Sequence, residues 1–247
     1  MTAPLTIPRR FNGPPSSGNG GWTAGALASY LAPGPSGTAG PVQVTLRTPP
    51  PLEVPLRVDL EAPATARAWH DDVLVGEAEA TSADLATVPA VDADVAREAE
   101  ASYAGHRSHP FPSCFACGTA RDDGLRIFPG RVDDADGRAR VAATWTPGPS
   151  LAVDGDADVV PPAVAWAALD CVGGWAGDLE ERLMVLGRMT ARLHDLPRVG
   201  ETHVVVGTDL GTDGRRTRTA ATLRTASGRV LGTAEHVWFA VDPQDFA

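Results

Sequence analysis

The chain has 247 residues and a formal net charge of −10 at pH 7, an acidity that argues against a nucleic-acid surface, because phosphate contacts need basic residues. All 21 basic residues are arginine, which excludes Schiff-base and lysine-base chemistry. Apolar residues make up 43%, enough for one large core or two smaller ones, and no apolar run approaches the ~18 residues of a membrane span. The opening MTAPLTIPRR lacks the charged-then-apolar order of a signal peptide, so a soluble cytoplasmic protein is expected, and three cysteines do not make a disulfide framework.

In chain order, residues 5–11 read as a short strand. The turn-rich NGPPSSGNGG then leads into WTAGALASYLA, where Trp22, Ala26, Leu27 and Tyr30 share a helical face. Ser17 or Asn19 would cap this helix, with Gly20 and Gly21 at its mouth. After the breaker APGPSGTAGP, residues 42–48, 56–61, 65–70 and 73–81 alternate as strands. Residues 82–104 are alanine-rich with interspersed acids and read as a connector or a short solvated helix. Strand patterning resumes at 125–129 and 139–145 around the turn DDADG. It returns after a second helix at 184–193, 203–210, 215–224 and 230–241.

That second helix sits in VPPAVAWAALDCVGGWAG, residues 160–177. Two prolines open it and glycines close it, and from Ala163 to Val172 every side chain is apolar except Asp170. A helix apolar nearly all round is buried, so Asp170 is either paired for structure or kept for chemistry. Cys171 lies about 100° around the helix from it and reads as a small core residue.

The connector carries His106, His109, Cys114 and Cys117 within a dozen residues. Thiolates and imidazoles of this kind could close a tetrahedral zinc site. A redox CxxC, or a packed linker laying Phe111 and Phe115 on the surface, reads the same residues otherwise. No metal or other cofactor is required by any other motif.

Strand, helix and meander occur twice, which suggests an internal duplication: a first repeat over 1–83, a connector over 84–124 and a second repeat over 125–247. With FNGPPSSGNGGWTAGALASYL at the first helix, and AWAALDCVGGWA and LHDLPRVGETHVVVG in the second half, the chain resembles the double-hotdog acyl-CoA thioesterases, including acyl-CoA thioesterase II and phenylacetate-pathway enzymes. The resemblance implies an α+β tandem (double) hotdog, with two antiparallel sheets each wrapped around one long helix. It also implies thioester hydrolysis at a composite site between the repeats.

In that site Gly20 and Gly21 would offer amides at a helix N-terminus, with Gly21 as the oxyanion donor. Asp170 would act as base or nucleophile, and apolar residues between the two helices would line an acyl tunnel. By alignment with the family's strands, Thr190 and His236 join Asp170 as catalytic candidates, although histidine stands where the family has glutamine. Arginine 188 stands where the family has an acid. Asn19, Trp22, Trp166 and Arg188 complete the substrate-binding set. The substrate would be an acyl-CoA or an acyl-carrier thioester, with neither nucleic acid nor membrane as partner. Two fused repeats already supply the interface that single-repeat relatives make by dimerising, so a monomer suffices and a homodimer is not specified. Two other readings share the fold: a non-catalytic acyl-binding protein, with Asp170 ion-paired to a residue such as Arg188, and an enoyl-thioester hydratase or dehydratase, which needs an acid and a histidine facing one substrate.

Overall fold

The structure, a computed structural model, describes residues 2–31, 40–61, 64–152, 158–242 and 244. Ten strands form one antiparallel sheet in the order β2-β3-β4-β1-β7-β10-β9-β8-β6-β5. In the first half these are β1 (Val42–Leu46), β2 (Arg57–Glu61), β3 (Thr65–His70) and β4 (Val73–Ala80). The second half supplies β5 (Gly130–Ala135), β6 (Arg138–Trp145), β7 (Met184–Leu193), β8 (His203–Asp213), β9 (Arg216–Thr225) and β10 (Val230–Ala240).

The expectation of two separate sheets is corrected by the seam between the halves. Strand β1 pairs with β4 on one side and with β7 on the other, in the register Val42↔Ala191 to Thr45↔Arg188. Its open edge is thereby satisfied by the second half rather than by solvent.

Among the described residues three α-helices lie against this sheet: α2 (Ala93–Ala99) packs on β5, β6 and β8, and two others build the candidate site. Helix α1 (Gly20–Ala28) packs on β1, β3, β4 and β7. Helix α3 (Pro162–Ala176) packs on β6 to β10 and against α1. Every residue of α3 from Ala163 to Ala176 is buried, as an apolar sequence all round requires. The helices cross closely because α1 presents glycines there. A Cβ at Gly21 would come within 2.4 Å of Asp170 Cβ, and one at Gly25 within 2.7 Å of Trp166 Cβ.

Local chemistry accounts for most boundaries. The Asp136-Gly137 turn between β5 and β6 has φ of 52° and 70°, a left-handed pair that Asp-Gly supplies at low cost. The solvated helix of the connector is α2 (Ala93–Ala99). Two expected strands are absent. Residues 5–11 contribute only a bridge, Leu5 to Leu56, and a 3-10 turn at Arg9–Phe11. Residues 125–129 run extended but unladdered, with Leu125 and Ile127 donating to the Phe115 and Ala116 carbonyls of the connector. Most of the breaker APGPSGTAGP lies outside the described residues. No described helix is long and apolar enough to cross a membrane.

Candidate active site

Asn19 is the N-cap of α1. Its Oδ1 accepts from Trp22 N at 2.8 Å, and its buried side chain turns Nδ2 toward α3. There Asp170 Oδ2 accepts from Gly21 N at 2.8 Å and from Asn19 Nδ2 at 3.3 Å. The two halves therefore meet at one carboxylate, held by the mouth of the opposite helix. The other oxygen, Oδ1, is buried with no hydrogen-bond partner among the described residues.

Burial pushes the Asp170 carboxyl up to about 7. The Gly21 amide opposes the shift, the Cys114 sulfur adds to it, and Asn19 opposes it more weakly. No ion pair to Asp170 is found among the described residues. Arg188, the partner imagined for it, is exposed and donates to Thr45 Oγ1 at 3.1 Å instead.

Asp170 lines a cavity of about 1140 Å³, together with Asn19, Gly20, Cys114, Cys117 and Cys171. Gly21, Trp22 and Thr23 donate to Asp170 and Asn19, while no acceptor for the Gly20 amide is found among the described residues. Four arginines line the same cavity from separate strands: Arg47 after β1, Arg188 on β7, and Arg216 and Arg218 on β9. Arg216 and Arg218 come from one short run on β9, and strand pairing brings Arg47 and Arg188 to it.

Other candidates are placed elsewhere. His236 is buried, with Nδ1 3.1 Å from Thr219 Oγ1 and its ring against Gly173. Burial pushes it down to about 4, and it does not line the cavity. Its neighbour Glu235 points to the opposite face and accepts from Ala86 N. Thr190 also lies away from the cavity, opposite Gln43 and Glu235 on the neighbouring strands. Trp22 stacks on Phe11 with centroids 4.4 Å apart, and Trp166 packs against Gly25 at the helix crossing, so both serve the core.

The connector histidines do not join the cysteine cluster as ligands, although His109 lines the same cavity. His109 Nδ1 accepts from Phe111 N at 2.9 Å and its Nε2 meets Cys117 O at 3.0 Å, so both ring nitrogens are occupied. His106 is exposed and sits edge-on to Tyr103. In their place Cys171 joins Cys114 and Cys117, a contact that sequence reading missed. Hydrogen bonds from the Cys117 and Cys171 thiols hold the Cys114 thiol well below its usual range.

No family model and no curated protein matches the chain. Solved structures do. The tesB protein of Mycobacterium avium subspecies paratuberculosis aligns with TM-score 0.57 at 11% identity, over 91% of this chain and 87% of that one. The acyl-CoA thioesterase II TesB2 of Mycobacterium marinum aligns with TM-score 0.52 at 10% identity, over 91% and 88%. A hot dog fold protein of Alicyclobacillus acidocaldarius aligns with TM-score 0.54 at 15% identity, over 92% and 89%. At these identities the likeness is one of fold: along nearly its whole length the chain shares the hot dog fold with these proteins.

Proposed function

We propose that the protein hydrolyses an acyl thioester in the cavity between its two halves, with Asp170 as general base. One observation carries this reading: a buried carboxylate with one oxygen fixed by the opposite helix mouth and the other unpartnered. In the step proposed, Asp170 Oδ1 takes a proton from water as the water oxygen bonds to the thioester carbon. The developing oxyanion accepts from the Gly20 N–H, aided by the N-terminal field of α1. The C–S bond then breaks and the sulfur leaves with the proton from Asp170. Gly21, read from the sequence as the oxyanion donor, holds the base instead.

The arginines around the cavity suit an anionic tail, which favours coenzyme A over an uncharged carrier of the acyl group. The hydratase reading needs a histidine free to meet substrate; His236 is buried away from the cavity, and His109, which lines it, has both ring nitrogens in hydrogen bonds. Free-thiol release from short, medium, long and aromatic acyl-CoAs, wild type beside Asp170→Asn, tests the proposal. The expected loss in the variant is ~10²–10⁴-fold. Unchanged hydrolysis by Asp170→Asn would remove Asp170 from the chemistry. No hydrolysis by folded wild type would leave a non-catalytic acyl-binding protein.

A further inference from the structure

We propose that Cys114, Cys117 and Cys171 form a zinc site in the cavity wall, with three thiolate ligands and a fourth coordination position open to the cavity. The three sulfurs, all buried, lie within 4.8 Å of one another. Cys114 and Cys171 Sγ are 3.7 Å apart. A zinc–sulfur bond of ~2.3 Å sets tetrahedral ligands about 3.8 Å apart, so this pair already spans one edge of such a site. A disulfide would instead need the sulfurs at ~2.05 Å.

The ligands come from two well-anchored pieces of chain. Cys171 is on α3, buried on all sides. Cys114 and Cys117 belong to a tight turn in which Cys114 N donates to Phe111 O and Gly118 N to Cys114 O, both at 2.9 Å. Tyr103 fixes the same turn by donating to Cys117 O at 2.9 Å.

One side-chain N–H donor faces two of the sulfurs. Asn19 Nδ2 lies 3.8 Å from both Cys114 and Cys171 Sγ. The buried indole N–H of Trp175 has no hydrogen-bond partner among the described residues. N–H donors pointed at ligand sulfurs are the usual outer shell of a thiolate metal site. Three thiols and Asp170 line this wall, yet among the described residues no arginine pairs with Asp170 or lies against the sulfurs. A buried set of acids without a counter-cation is costly to ionise, and a divalent ion supplies the missing charge. Three soft sulfur donors select zinc over magnesium, calcium or manganese. With both His109 nitrogens occupied, the fourth position is left to water or to a ligand entering the cavity.

The site stands independently of thioester hydrolysis, and its test reads metal rather than turnover. Reduced, metal-free protein is titrated with Zn²⁺ against a chromophoric chelator, and separately with Co²⁺. One zinc per chain is expected, with a cobalt complex showing thiolate charge-transfer and tetrahedral bands. In Cys171→Ser and Cys117→Ser the charge-transfer intensity should fall by about a third, as three thiolates become two. Asn19→Ala should weaken zinc ~10–100-fold through the outer shell. Because a buried Cys→Ser change can itself unfold the chain, cadmium NMR of the wild type counts the thiolates without any variant. A folded, reduced wild type that takes up no zinc would overturn the proposal. So would zinc held undiminished by the triple serine variant, or a cadmium shift reporting no sulfur ligands.

Discussion

Gly21→Ala tests the helix crossing on which the candidate site depends. The added Cβ would lie 2.4 Å from Asp170 Cβ, 2.9 Å from the Trp166 carbonyl oxygen and 3.0 Å from Asp170 Cγ. Two of these neighbours belong to a fully buried side chain and the third is backbone, so none can swing away. Relief requires the first turn of α1 to lift from α3, which also lengthens the Gly21 N to Asp170 Oδ2 bond from its 2.8 Å. Overpacking of this kind costs about 1–3 kcal/mol. A chain of this size loses ~2–4 °C of melting temperature per kcal/mol, so a drop of about 4–8 °C is expected for a mid-range cost.

Gly25→Ala meets Trp166 Cβ at 2.7 Å and Ala163 Cα at 2.8 Å, one turn further along, and should lose comparable stability. Only Gly21→Ala should also disturb Asp170, so thiol release should fall further in it than in Gly25→Ala at equal folded fraction. Gly148, where a Cβ would meet nothing within 4 Å, is the control, and its alanine variant should melt within about 0.5 kcal/mol of wild type. Thermal unfolding followed by near-ultraviolet circular dichroism reads all three. A Gly21→Ala protein that melts with the wild type would refute the close crossing.

Three other outcomes follow from the same geometry. His236 is neutral in the fold, with its pKa pushed down to about 4 against ~6.5 in the unfolded chain, so its contribution is fully present above about pH 6.5 and is lost as pH falls toward 4. That loss approaches ~3 kcal/mol, and urea unfolding at pH 7 and pH 4.5 should show a smaller acid penalty in His236→Gln than in wild type. Asn19→Ala removes the cap on Trp22 N, and denaturant titration should find it about 1–2 kcal/mol less stable. If the strand arginines hold coenzyme A phosphates, Arg188→Ala and Arg218→Ala should raise KM severalfold for acyl-CoA but not for an acyl thioester lacking the nucleotide. Added salt should shrink the difference; equal effects on both substrates would count against that role.

Much of this fold is legible locally. The apolar run around Asp170, its opening prolines and the strand alternation of the second half each follow from neighbours in sequence, and they place α3 and β7 to β10 within a residue or a few of where they lie. What is not legible depends on pairing between distant segments. The joining of β1 to β7 depends on which edge strand is left open, and no residue of β1 records that. Cys171 and Cys114 are 57 positions apart, so only docking of the connector on α3 brings the sulfurs together. The candidate Thr190 failed to reach the cavity because family alignment supplied its strand but not its face. The spacing of Gly21 from Gly25, one helical turn, is the local sign of close helix contact that a reading of Gly21 as oxyanion donor passes over.

The β1 to β7 seam makes the halves mutual templates rather than beads on a string. Each lends the other a hydrogen-bonding edge, and α1 closes over the acid of α3, so neither half has a finished surface of its own. A cut in the connector should therefore leave two fragments that stay together and melt as one unit. Either fragment expressed alone would expose a strand edge and an apolar helix face, and it would aggregate or capture its complement.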